Sequence, residues 1–130
     1  MTLGRLEHAN ITVSDPEATA TRLGELFGWH VRWRGVKGEG IYGGLSLHVG
    51  AEDTYLAVYA RGDTPTPAGD TYGHLGGLNH LGVVVDDLDA VETKVKAMGY
   101  EPHNHGDYEP GRRFYFEDSD GIEFEVVSYD

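Results

Sequence analysis

The chain has no cysteine, which excludes disulfides, thiolate nucleophiles and cysteine-held zinc. It is also poor in positive charge. Ten Lys and Arg face 22 Asp and Glu, a formal net charge of −12 that would repel a phosphate backbone or an anionic lipid surface. Nucleic acid and membrane are therefore not expected as partners. No basic segment followed by an apolar run opens the sequence, and nowhere do about eighteen apolar residues occur together, so neither export nor anchoring is expected and a cytoplasmic location is the default. What the chain does have is oxygen and imidazole donors, including seven histidines, so any bound metal must be held by His, Asp, Glu or Tyr. Its length of 130 residues suits one globular domain.

An internal repeat organises the chain. The stretch from Leu6 to Asp15 lays over the stretch from Leu78 to Asp87, with Leu, His, Val and Asp in matching places. Both read as a strand entering a helix. Ser14 or Asp15 before Pro16, and Asp87 or Asp89 in the second copy, are helix-start signals. Apolar spacing through Ala20, Leu23, Leu26 and Phe27, and through Leu88, Val91, Val95 and Met98, predicts a helix with one buried face. Gly28 and Gly99 end these helices. Short β-rich runs follow at about 29–36, 41–49 and 54–60, then 100–105, 112–118 and 122–129. The expected fold is thus α+β: two tandem βαβββ modules, about 4–60 and 78–130, forming a concave and mostly antiparallel sheet. Residues 61–77, rich in glycine, are the expected linker.

Strand alternation assigns the faces. Ile11 and Val13 point toward the helix, which leaves His8, Asn10 and Thr12 on the other side; Leu81, Val83 and Val85 likewise leave His80 where His8 stands in the first copy. On the last strand Phe124 and Val126 are core residues, so Glu123, Glu125, Val127 and Tyr129 turn to the opposite face. A carboxylate flanked by Phe124 and Val126 needs a cation or several donors to offset its desolvation. Two imidazoles and one carboxylate, with positions left open, make a facial triad for one divalent metal ion, Fe(II), Mn, Ni or Zn. The alternative for each histidine is a hydrogen-bonded strand residue.

These segments, His8 to Pro16, His80 to Asp87 and above all Arg112 to Glu125 with its Asp118-Ser119-Asp120-Gly121 turn, resemble the vicinal oxygen chelate superfamily. That superfamily includes glyoxalase I, extradiol dioxygenases, fosfomycin-resistance enzymes and bleomycin-resistance proteins. The resemblance implies metal ligands at His8, His80 and Glu125, with Glu123 the less favoured neighbour. It also implies that the fourth ligand of glyoxalase I is missing, because Ala57 falls at its place. The implied function is a metal-dependent enzyme, glyoxalase-like or dioxygenase-like, acting on a small oxygen-chelating substrate. The alternative is a metal-free binding protein of the bleomycin-resistance kind, and the superfamily's pairing of modules suggests a homodimer.

Other side chains carry two readings. Tyr115 and Tyr129 are candidates to orient or protonate a metal-bound substrate, or else packing residues. Arg112 and Arg113 suit a substrate carboxylate, or a solvated pair. Tyr55 and Tyr59, with Trp29 and Trp33, suit an apolar binding surface, or sheet packing. His103 and His105, two apart, look like a metal pair on one strand face, or exposed residues beside Gly106. No role suggests itself for His30, His48 or His74.

Overall fold

The computed structural model describes residues 2–63 and 65–130. Met1, and Thr64 of the expected linker, lie outside the described residues. The chain divides into two compact units, residues 1–65 and 66–130. Each carries one helix and one four-stranded sheet, as the repeat predicts.

In module 1, β1 (His8–Thr12) leads into α1 (Pro16–Phe27), followed by β2 (His30–Arg34), β3 (Leu45–Gly50) and β4 (Tyr55–Ala60). The sheet order is β1-β4-β3-β2, with β1 and β4 parallel and the other neighbours antiparallel. Module 2 repeats this with β5 (Leu81–Val84), α2 (Leu88–Ala97), β6 (His103–Tyr108), β7 (Gly111–Glu117) and β8 (Glu123–Ser128), in the order β5-β8-β7-β6. Parallel pairing of first and last strand needs a crossover, which the helix and the intervening hairpin supply.

The helix ends are fixed by local chemistry. Asp15, not Ser14, caps α1: its carboxylate accepts from the backbone N–H of Glu17 and Ala18 at 3.1 and 3.2 Å, with Pro16 in the first turn. Asp87, not Asp89, caps α2 through the N–H of Ala90 at 3.0 Å. Gly28 closes α1 in the left-handed conformation, at φ 73°.

Each helix covers one face of its own sheet. Leu23, Leu26, Leu47, Val49, Leu56 and Val58 are buried in module 1, and Val91, Val95, Phe114, Phe116, Phe124 and Val126 in module 2. Phe116 and Phe124 are directly opposite on β7 and β8, with ring centroids 5.2 Å apart. Each such side chain contributes roughly 1.5–3 kcal/mol by leaving water. These cores leave the other face of each sheet to polar and aromatic groups.

Two local expectations need correction. Residues 41–43 form a short 3-10 turn rather than the start of a strand, with Tyr42 at φ 54°, because the Tyr59 hydroxyl donates to the Ile41 carbonyl at 2.5 Å and pins the turn. His103 and His105 do not share a face. A bulge in β6 places Asn104 in the left-handed region at φ 53°, and three residue steps from His103 to Gly106 oppose two from Tyr115 to Arg113. His103 then meets Glu117 at 2.7 Å, while His105 meets Glu92 of α2 at 2.9 Å.

Candidate metal centre

Three strands of module 2 build a compact polar cluster on the sheet face opposite α2. Glu125 stands at the middle of β8, between Gly82 of β5 and Tyr115 of β7 in the strand register. Gly82 has no side chain there, and a Cβ at that position would meet nothing within 4 Å, so one flank of Glu125 is open. His80, immediately before β5, brings Nε2 to 3.1 Å from Glu125 Oε1. Its Nδ1 lies 3.6 Å from Glu123 Oε1 and 3.3 Å from the Tyr72 hydroxyl.

The surroundings fix this carboxylate. Arg113 Nη1 donates to Glu125 Oε2 at 2.9 Å, and both side chains are only 14% exposed. The guanidinium also lies over the Tyr108 ring, 5.3 Å from its centroid. Arg113 therefore restrains one oxygen of Glu125 and leaves the other facing His80. Arg112, its sequence neighbour, points away to Asp89 of α2 at 2.9 Å.

Two phenols border the cluster. Tyr72 donates to Glu123, which together with burial pushes its hydroxyl up to about 12. Burial and the adjoining Glu125 charge raise Tyr115, whose ring meets His80 edge-on at 5.6 Å. Both stay protonated well above neutral pH. Tyr129 lies beyond the end of β8 and is 58% exposed.

The geometry suits a metal. Two donors held side by side at about 2.0–2.2 Å from one ion stand roughly 3 Å apart, which is the separation of His80 Nε2 and Glu125 Oε1. A second group on the same face, His103, Glu117 and Glu123, has one donor atom from each residue within 4.8 Å of the others.

Module 1 carries a different surface on its corresponding face. The rings of His8 and Tyr55 stack at 4.7 Å and 9°, Tyr55 and His48 at 4.4 Å, and Trp33 tilts over His48 at 4.7 Å. The Arg32 guanidinium lies 4.9 Å from the Tyr55 centroid. His8 Nδ1 meets Glu7 at 2.9 Å, a bond that lowers the Glu7 carboxyl. Burial, with His8 and Arg32 nearby, lowers His48, and burial raises Tyr55. Tyr59 is buried and committed to Ile41, and Trp29 packs on Phe27.

Strand register compares the two faces residue by residue. Asn10 pairs with Ala57 as Gly82 pairs with Glu125, so Ala57 occupies in module 1 the place that Glu125 holds in module 2. His48 correspondingly matches Tyr115, each being opposite that place. Sequence reasoning missed Tyr72, hidden in an irregular connection, and His48, whose neighbours are set by pairing between distant strands. It undervalued Glu123, which shares the face of Glu125.

Two βαβββ units, each with its helix on one sheet face and polar or aromatic groups on the other, define the fold class. The chain belongs to the Glyoxalase/Bleomycin resistance protein/Dioxygenase superfamily, whose family model matches residues 5–126. Among solved structures it is similar to a glyoxylase/bleomycin resistance protein/dioxygenase domain from a Frankia species, with 21% identity, 98% of each chain covered and a TM-score of 0.78. TnmS3, an antibiotic-binding protein from a Streptomyces species, is 23% identical over 98% of each chain with a TM-score of 0.73. A variant of the fosfomycin resistance protein FosX from Listeria monocytogenes, complexed with Mn(II) and 1S,2S-dihydroxypropylphosphonic acid, is 17% identical, covering 97% of this chain and 90% of its own, with a TM-score of 0.70. No curated protein matches the chain. Among the described residues no helix is long and apolar enough to cross a membrane.

Proposed function

We propose that this protein is a divalent-metal-dependent enzyme acting on a small oxygen-chelating substrate, with His80 and Glu125 of module 2 and His8 of module 1 as metal ligands. The observation that carries this reading is the 3.1 Å approach of His80 Nε2 to a Glu125 oxygen whose partner oxygen is already held by Arg113. Two imidazoles and a carboxylate suit Fe(II), Mn, Ni or Zn. When bound, such an ion polarises a substrate oxygen or acidifies its water. Arg113 orients Glu125, and the Tyr115 and Tyr72 hydroxyls, both kept protonated, would border a substrate oxygen bound there as hydrogen-bonding groups. Alanine at position 57 disfavours a four-ligand glyoxalase site and favours a three-ligand, dioxygenase-like one, and Mn(II) is among the ions it suits, the ion found in the FosX relative.

His8 enters from module 1 of this chain or of a second copy, and a cytoplasmic homodimer is the expected form; light scattering should return about twice the 14.3 kDa chain mass. The test is metal content of untagged protein reconstituted anaerobically with Fe(II), Mn(II) and Zn(II). Wild type should carry one equivalent more than Glu125→Ala and His80→Ala, and equal metal content in wild type and both variants would refute the assignment. Oxygen uptake with Fe(II) and a panel of catechols separates ring cleavage from the other chemistries.

A second reading rests on the Trp33, His48, Tyr55 and His8 row with Arg32 above it, a surface suited to sequestering a planar ligand without metal. It gains support from the antibiotic-binding relative. Under it, ligand affinity survives Glu125→Ala and falls with Trp33→Ala.

A further inference from the structure

We infer that His103, Glu117 and Glu123 form a second divalent-cation site in module 2, adjoining the His80 and Glu125 pair and built by the bulge in β6. Glu117 and Glu123 sit directly opposite one another on β7 and β8. Like charges facing across strands are destabilising, and a cation between them reverses the sign. Glu117 pairs with His103 at 2.7 Å; Glu123 meets the Tyr72 hydroxyl and, at 3.6 Å, His80. The cluster is thus bordered by imidazoles and a phenol, and at 16–46% side-chain exposure from Glu123 to Glu117 it is neither dry nor fully solvated.

The backbone supplies the second argument. Without an extra residue in β6, His103 and His105 would share a face and compete for the same surroundings. The bulge at Asn104, a non-glycine residue in the left-handed region, separates them and turns His103 alone onto Glu117. Bulges of this kind re-aim side chains, and asparagine is among the few non-glycine residues that take the left-handed backbone readily. One nitrogen and two carboxylate oxygens, gathered within 4.8 Å, then need only small side-chain rotations to close on a zinc, cobalt or manganese ion. The two negative charges match the charge of the ion, and remaining positions stay open to water.

Zn(II) and Co(II) are the probes. Untagged, chelator-treated protein is loaded with each, freed of excess metal by gel filtration, and its metal and protein are counted, for wild type, Glu117→Gln, His103→Asn and Glu125→Gln. Circular dichroism checks that each variant is folded. The expected result is two equivalents in wild type and one in each variant, with Zn(II) still raising the melting temperature of Glu125→Gln. One equivalent that is lost in Glu117→Gln and His103→Asn but kept in Glu125→Gln supports this site while refuting the His80 and Glu125 assignment. One equivalent lost only in Glu125→Gln overturns the inference, as does one lost in all variants. No bound metal, or two equivalents that persist in Glu117→Gln and His103→Asn, overturns it too.

Discussion

Removing the Arg113 guanidinium should cost more than any other single change on the polar face of module 2. At 2.9 Å the pair with Glu125 has a Coulomb energy of roughly 6 kcal/mol at an effective dielectric near 20, before desolvation is subtracted. Truncating one partner of a buried pair costs about 3–5 kcal/mol, because the remaining charge is stranded. His80 on the other carboxylate oxygen softens that, so Arg113→Met should destabilise by about 3 kcal/mol. For 130 residues at about 2.1 cal/mol/K each, the unfolding entropy is near 0.27 kcal/mol/K, and the melting temperature should fall by about 11 °C. Thermal unfolding followed by circular dichroism, with chelator present to remove linkage to metal, measures this directly. Adding Glu125→Gln should recover most of the loss, since it removes the stranded charge. A fall under about 2 °C, or a double variant equal to the sum of the singles, would refute the idea that Arg113 compensates Glu125.

Two further predictions concern the frame. Gly44→Ala places a Cβ 2.3 Å from the Ala60 carbonyl and 2.8 Å from the Tyr59 ring; since the carbonyl belongs to β4, the strand must shift, and a loss of about 2–3 kcal/mol by urea unfolding is expected. The exposed Arg112 and Asp89 pair should act only on the acid side. The hydrogen bond and charge of Arg112 depress the Asp89 carboxyl below its ordinary 3.8 in the folded state, so their contribution is present above that value and lost as pH falls through the lower folded one. The stability gap between wild type and Arg112→Gln should therefore be open at neutral pH and close in acid. A gap that widens in acid would contradict the assignment.

The repeat was legible because both copies carry the same local signals. His8 and His80 precede alternating aliphatic residues, Asp15 and Asp87 accept from the first-turn amides, and Gly28 and Gly99 adopt positive φ after the helices. Such signals act over a few residues. The candidate site was legible in part: Glu125 follows from alternation around Phe124 and Val126, both buried. Its neighbours did not follow. Arg113 reaches Glu125 only because β7 and β8 pair in one register, and Tyr72 reaches Glu123 across 51 positions from an irregular connection. The β6 bulge was invisible for a related reason, since strict alternation puts His103 and His105 together until Asn104 takes up the extra step. His48 drew no role because its ring neighbours, Tyr55 and Trp33, come from separate strands.

The matched registers of the parallel pairs let each position of one half be compared with its counterpart in the other. Position 57 is alanine and is 3% exposed, flanked by Asn10 and His48, where its twin is a carboxylate flanked by Gly82 and Tyr115. One half carries the acid at this place while the other carries a methyl group beside stacked rings. The two halves therefore present unlike surfaces from one backbone plan, stacked rings on the first and a carboxylate held by Arg113 and His80 on the second. Because the strands flanking Ala57 match those flanking Glu125, Ala57→Glu is the single change that would place the same group at the same position in both halves.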